Sequence, residues 1–296
     1  MVHVGSPHAT FSKSTHTDLL VLGHGWHGDF LEPVAQDNNL SLVFTTRDGR
    51  DGSIAWTLPD EPSKVDVEPL PLAATVIISF PITSEELTEA LIVAYNRKLE
   101  ANAKKPPQWI KLSSTSPYKQ IPSNRHTPLD KALEGSDRHL GERAIARHKG
   151  IILHLAGLWG NQRQPRNWIP RFPDEVKIKP KLLPGNRSLH LIHGHDVARA
   201  IVGMHQYFPI NDPNRRWIVT DNSTYHWIKL FWTWGAQTQR DIMEKLVKHD
   251  EDVRKAFGGR TLLEEMELGV ERYKRLDASE FWNWVHLKPE RLLRIE

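Results

Sequence analysis

An α/β protein built on a doubly wound parallel sheet, with a smaller and mainly helical C-terminal lobe, is what this sequence predicts, and three observations predict it. The first is the stretch from Asp18 to Gly28, where an apolar run at 19–22 is followed by glycines at 23, 25 and 28. It reads as a buried strand, a tight turn and a helix start, with the glycines at the GxGxxG spacing. The second is a series of short apolar runs at 40–46, 73–79, 109–114 and 150–156, alternating with helical stretches. Such alternation implies parallel strands with helices on both faces. The third is the C-terminal third, where 225–234, 237–248 and 281–285 hold many of the chain's 11 tryptophans at mostly helical spacing. Core packing is their default reading. A Rossmann-type sheet at 18–160 follows, with the remaining sheet elements and a substrate lobe at 161–296. Residues 1–17 are polar without periodicity and read as a loose tail.

Each element has a local reason. In the glycine loop, Gly23 allows the sharp turn, Gly25 lets backbone approach a pyrophosphate, and Gly28 lets the new helix pack closely on the strand. The phosphates would then sit on the helix N-terminus. That helix covers about 26–37 despite Pro33. The strand 40–46 ends roughly 20 residues beyond the loop, where a ribose-reading residue belongs. Neither Thr45 nor Thr46 is acidic, and Arg47 follows at once, which suits the 2′-phosphate of NADP, with NAD left open. Residues 48–72 are rich in Pro, Gly and Asp, with room for one short strand at 54–58. Phe80-Pro81 breaks the strand 73–79. Thr83 or Ser84 can cap the next helix, with Glu85 and Glu86 in its first turn and its end near 101. The strand 109–114 leads into Ser113-Ser-Thr-Ser-Pro-Tyr118, then a helix at about 129–147. The expected cofactor contacts are Gly23, Gly25, Trp26, His27, Gly28, Thr46, Arg47, Ser79, Phe80, Pro81 and Ser113.

Composition bounds the function. At 296 residues the chain can bury a substantial core as one large domain or two modest ones. Its net charge of +3 is slight and its basic residues are interleaved with acids, so neither nucleic acid nor a membrane is an expected partner. With no cysteine, disulfides and thiolate chemistry are excluded, which is compatible with a reducing compartment. No apolar run approaches the roughly 18 residues of a spanning helix, and the N-terminus lacks a signal-type apolar core. The expectation is a soluble, cytoplasmic protein with a small-molecule substrate; a homodimer stays open.

In Gly23, Gly25 and Gly28, the strand end Ser113-Ser-Thr with Tyr118, the segment Leu155-Ala-Gly-Leu-Trp-Gly160 and Leu189-His-Leu-Ile-His-Gly-His-Asp-Val-Ala-Arg-Ala200, the chain resembles the extended and atypical short-chain dehydrogenase/reductase superfamily, near the nucleotide-sugar epimerases. The likeness runs from Asp18 to about Leu230. Asp196 and the helix at 197–204 match a family segment, and 216–221 looks like its late strand. The resemblance implies an NAD(P) cofactor and, for Thr115, the hydroxyl that meets the substrate oxygen.

The family's Tyr-x-x-x-Lys pair is missing. If Glu142 aligns with the family's helix glutamate, the tyrosine and lysine positions fall near Glu134 and Arg138. Tyr118 is the nearby phenol. Without a lysine its pKa stays near 10, and a packing role competes with a catalytic one. The expected catalytic residues are Thr115 and Tyr118. The family builds substrate contacts near 159–168, so Trp159, Arg163, Arg166 and Trp168 are candidates for an anionic or aromatic ligand, with His193 beside them. His193 and His195 lie two apart without an evident carboxylate, so no metal is expected. The leading expectation is an NADP-dependent oxidoreductase of atypical short-chain type acting on a small carbonyl or alcohol. The alternative keeps the fold without redox chemistry, as an NAD(P)-sensing binding protein or an isomerase or cyclase.

Overall fold

In the computed structural model, the described residues are 16–82, 84–119, 122–131, 137–268 and 276–296. Most of the expected tail, Thr83 as a helix cap and Glu134 lie outside them. The first half of the chain runs β1 (His16–Leu22), α1 (Gly25–Asp37), β2 (Leu42–Thr46), β3 (Ile54–Ala55), β4 (Leu72–Ile78), α2 (Glu85–Ala101), β5 (Gln108–Ser114), α3 (Asp137–Arg147) and β6 (Ile151–Leu155). The second half runs β7 (Gly157–Trp159), α4 (Glu175–Leu182), β8 (Ser188–Leu189), β9 (Leu191–His193), α5 (Gly194–Gln206), β10 (Arg216–Val219), β11 (Tyr225–His226), α6 (Trp227–Trp234), α7 (Gln237–His249), α8 (Glu251–Phe257), α9 (Leu262–Glu267) and α10 (Ser279–Trp284).

Seven strands form one parallel sheet in the order β10-β6-β5-β4-β1-β2-β3. The order reverses beside β1, so a crevice opens at the carboxyl ends of β1 and β4, where open α/β sheets bind ligands. Alternate side chains enter two cores. Leu19, Val21, Ile77, Ile110 and Leu153 face α1 and α5. Leu20, Leu22, Val76, Ile78 and Trp109 face α2 and α3. A third cluster, including Ile178, Ile228, Phe231, Met243 and Phe257, is the core of the C-terminal lobe. Ser84 caps α2, its hydroxyl accepting Leu87 N–H at 3.0 Å. The expected helix at 225–234 begins two residues later, because Tyr225 and His226 pair with β8 first.

None of the described helices is long and apolar enough to cross a membrane. The lobe is tied to α5 through Asp196, which is fully buried and accepts the backbone N–H groups of Glu290 and Arg291 as well as Arg199. Nearby, Asp221 is buried and accepts Tyr225 Oη at 2.6 Å. Burial pushes its carboxyl up to about 7, against the hydrogen bonds that oppose it. The native state therefore holds a proton that the unfolded chain releases near pH 4, so this group removes stability as pH rises from that value to about 7. Asp221→Asn is expected to melt above the native chain at pH 8 and together with it at pH 4. A calorimetric gap of equal size at both pH values would refute that linkage.

Candidate functional site

The crevice holds two adjoining cavities that share Ser79 and Pro81. The first, about 730 Å³, is lined by Gly23, Gly25, Thr46, Arg47, Ser79, Phe80 and Pro81. Sequence reasoning had picked all seven. Gly25 has φ +48°, and a Cβ there would meet nothing within 4 Å, so the loop leaves room beside the first turn of α1. Gly23 has φ +88° and sits against the Ser79 hydroxyl, which donates to Gly23 O at 2.6 Å. The loop is also pinned to β2, because Gly23 N–H donates to Thr45 Oγ1 and His24 N–H to Thr45 O, both at 2.9 Å. Gly28 departs from its expected role: the closest atoms to an added Cβ belong to the His24 ring, not to a strand.

Arg47 is exposed at the rim of this cavity, and Arg50 joins it there. Arg50 was missed because it follows the strand end by four residues. A left-handed turn at Gly49, whose N–H donates to Thr46 Oγ1 at 2.9 Å, brings it back. Thr46 Oγ1 also donates to Asp48 at 3.1 Å, and that bond helps hold the Asp48 carboxyl below its usual pKa. These residues, with Trp56 and Phe80 as apolar walls, fit the adenosine and pyrophosphate of a dinucleotide.

The second cavity, about 600 Å³, is lined by His27, Ser113, Arg163 and Trp168 from the expected set and by Lys111, Ser114 and Arg171 outside it. It has no carboxylate in its lining. His27 is partly buried, and burial with the nearby Arg163 lowers its pKa to about 4, so it is neutral at pH 7. Trp26 stands behind the wall, edge-on to Phe30 at 4.8 Å, with the Arg163 guanidinium 4.7 Å from its ring.

Lys111 could have been found from the sequence as a charge inside the apolar run Trp109-Ile-Lys-Leu112. It lies on the same sheet face as Trp109 and Ser113 and is 1% exposed. Its Nζ has no hydrogen-bond partner among the described residues. Burial lowers its pKa to about 8, against the pull of Glu142. Behind it, Ser113 donates to Glu142 at 2.5 Å and His139 Nδ1 meets the same carboxylate oxygen at 2.6 Å. His154 approaches the other oxygen at 3.7 Å and bonds Ser114 O through Nδ1 at 2.7 Å. Burial alone would raise the Glu142 carboxyl, yet His139, His154 and Ser113 hold it below its usual value. Potential ligand atoms of His139, Glu142 and His154 converge within 4.8 Å. One carboxylate oxygen accepts both hydrogen bonds, and the other has His154 at 3.7 Å.

The other expected site residues are placed apart. Tyr118 is a correction: it is 0% exposed in the core, edge-on to His154 at 5.3 Å, and burial pushes its phenol up to about 12. The turn at 115–118, closed by Tyr118 N–H on Thr115 O, rotates the ring inward and away from both cavities. Thr115 is partly exposed, and it lines neither cavity. Arg166 is exposed on the 3-10 turn Pro165–Arg171 and also lines neither. Trp159 and His193 contact each other at 4.6 Å and line a separate cavity of about 650 Å³ with Phe30, Glu290 and Arg291. His193 caps α5, its Nδ1 accepting His195 N–H at 3.1 Å. A larger cavity, about 1050 Å³, lies in the C-terminal lobe among α7, α8 and α9. It mixes Glu244 and Glu251 with Lys248 and Arg254 and is remote from the glycine loop, so the crevice remains the candidate site.

No protein-family model and no curated protein matches this sequence. Solved structures do match its fold. A conserved protein of unknown function from Silicibacter pomeroyi is 18% identical, with 95% of each chain covered and a TM-score of 0.56. The UDP-N-acetylglucosamine 4-epimerase from Bacillus cereus is 14% identical over 93% of this chain and 94% of its own, at TM-score 0.54. MoeE5, solved in complex with UDP-glucose and NAD, is 13% identical over 93% and 94%, at TM-score 0.56. With the strand order, the glycine loop at the switch point and these near full-length matches together, this chain shares the Rossmann-type fold of these solved structures, two of which are a nucleotide-sugar epimerase and a protein solved with UDP-glucose and NAD.

Proposed function

We propose that this chain is an NADP-dependent oxidoreductase of atypical short-chain type that acts on a small organic carbonyl or alcohol. The observation that carries the reading is the pair of cavities joined at Ser79 and Pro81, one under the glycine loop and the other without a carboxylate and rich in donors. The cofactor's adenosine half would lie among Thr46, Arg47, Trp56 and Phe80, and its pyrophosphate against Gly25. When bound, its nicotinamide supplies or accepts the hydride. Ser113 and Ser114 would orient the reacting oxygen, while Arg163, Trp168 and Arg171 would hold the rest of the substrate by charge and stacking. The C-terminal lobe, from 161 onward, would close this half of the crevice.

Arg47 and Arg50 at the ribose end favour the 2′-phosphate of NADP, since a guanidinium fork matches phosphate oxygens. Losing one charge-assisted contact costs about 1.5–3 kcal/mol. Arg47→Ala is therefore expected to erase most of a preference for NADPH over NADH, measured by titration calorimetry. Equal affinities for the two cofactors in the native chain would refute the NADP assignment.

A second reading, a dinucleotide-binding protein without redox turnover, is favoured by the burial of Tyr118 and the missing Tyr-x-x-x-Lys pair. Steady-state NADPH oxidation across a panel of aldehydes and ketones separates the two. Tight NADPH binding with no turnover on any carbonyl would leave the binding protein standing.

A further inference from the structure

We propose that Lys111 is the acid–base group of this site, its Nζ giving a proton to the oxygen of a carbonyl substrate held beside Ser113 and Ser114 and taking it back in the reverse direction. The inference rests on the oxidoreductase reading and deepens it. Lys111 sits on β5, 1% exposed, and is among the residues that line the second cavity, with its Nζ enclosed just behind the wall. A buried ammonium without a hydrogen-bond partner among the described residues is costly, because desolvation penalises the charge and the attraction of the Glu142 carboxylate offsets only part of that penalty. Such an arrangement is rational when a ligand oxygen supplies the missing acceptor. No carboxylate is among the residues that line the cavity, Ser113 and Ser114 are, and Glu142 acts on the amine from behind the wall.

The proton balance closes on this chain's own groups. As a hydride from the reduced dinucleotide reaches the carbonyl carbon, the C=O π pair moves to oxygen. That oxygen takes a proton from Lys111 Nζ, leaving a neutral amine and the alcohol. The amine regains its proton from water admitted to the cavity as the alcohol leaves. Alcohol oxidation runs the same transfers backward. An amine with a pKa of about 8 is matched to this work near neutral pH, where an ordinary lysine holds its proton too tightly and the buried Tyr118 phenol does so even more.

The charged and titratable groups around it come from every neighbouring element. Glu142 on α3 raises its pKa, while His139 on α3 and His154 on β6 reach that carboxylate; the cavity lining adds His27 from α1 and Arg163 and Arg171 from the segment after β7. The neighbours of Lys111 thus supply one carboxylate and two guanidiniums, with His27 held neutral by burial.

The test uses the full chain and two readouts. In the first, the chain without cofactor is treated with pyridoxal 5′-phosphate, an anionic aldehyde, then borohydride, and each lysine-bearing peptide is quantified by mass spectrometry from pH 6 to 10. Lys111 is expected to label with half-maximal reactivity near pH 8, below the surface lysines, and to be protected by NADPH. In the second, Lys111→Met is expected to lower kcat on a confirmed carbonyl by at least about 100-fold while NADPH affinity stays within error. Lys111→Arg should fail similarly, because a guanidinium keeps its proton. Absence of Lys111 labelling at every pH, or full turnover in Lys111→Met, overturns the proposal. So does a large loss of NADPH affinity with unchanged kcat, which would make the amine a cofactor anchor. A native chain that labels at Lys111 yet reduces no carbonyl overturns the oxidoreductase reading and this proposal's catalytic step with it; unlabelled Lys111 beside normal turnover overturns the Lys111 proposal alone.

Discussion

Gly25→Asp is expected to lose NADPH binding by at least about 100-fold in titration calorimetry, with the fold retained. Two physical effects add at this position. Gly25 has φ +48°, where a residue with a Cβ is strained. The new side chain would also project into the open space under the loop, carrying a negative charge to where a pyrophosphate would lie against the first N–H groups of α1. A loss of 100-fold corresponds to about 2.7 kcal/mol, within reach of one repulsive contact plus one lost backbone approach. Gly25→Ala separates the terms, since it brings the strain without the charge, and it should fall between the two. Native-like NADPH affinity in Gly25→Asp would remove the glycine loop from the cofactor site altogether.

The second large effect concerns the C-terminal lobe. Arg187 and Glu265 form a salt bridge with both side chains only 2% exposed, and Arg260 donates to the other Glu265 oxygen at 2.7 Å. The Arg187 guanidinium also packs over Phe257, 4.4 Å from the ring centroid. Removing one member of a buried pair leaves the other charge desolvated, which costs about 3–5 kcal/mol. Glu265→Ala should therefore lower the melting temperature by roughly 10 °C at the few degrees per kcal/mol typical of chains this size. Replacing both partners, Arg187→Met with Glu265→Leu, should recover most of that loss, because no fully buried charge is left without its partner and Arg260, 35% exposed, can be hydrated. A single variant that melts with the native chain would show that water reaches the pair.

Local pattern made much of the framework legible. The apolar run at 19–22 is fully buried, as a strand covered on both faces must be. Ser84 caps the second helix as its chemistry suggests. The glycine loop and the ends of β2 and β4 converge on one cavity because parallel strands put all their carboxyl ends on the same edge of the sheet. Chain order alone therefore brought Gly25, Thr46, Arg47 and Ser79 together.

The second cavity resisted the same reasoning. Trp159, Arg163, Arg166, Trp168 and His193 are close in sequence or role, but they separate into two cavities and an exposed turn. Their positions depend on how a short 3-10 turn and the β7–β9 pair lean on α1, which no periodicity encodes. Lys111, Glu142 and His154 show the converse. Each reads as an isolated polar residue in an apolar run or on a helix, and only the register of β5 against β6 and the packing of α3 gather them.

By itself the sequence determined the alternation of the main sheet's strands and helices, the glycine loop with the residues at the strand ends around it, and the absence of a Tyr-x-x-x-Lys pair. Those features follow from side-chain period and local turn chemistry, which act over a few residues. Tertiary structure alone decided that Tyr118 is core, that Arg50 returns to the rim of the glycine-loop cavity, and that Lys111, its Nζ without a hydrogen-bond partner among the described residues, stands in the wall of the second cavity. Burial and the pKa shifts it causes depend on which distant segments exclude water from a group. That quantity arises only once the sheet, α3 and the segment after β7 are packed together.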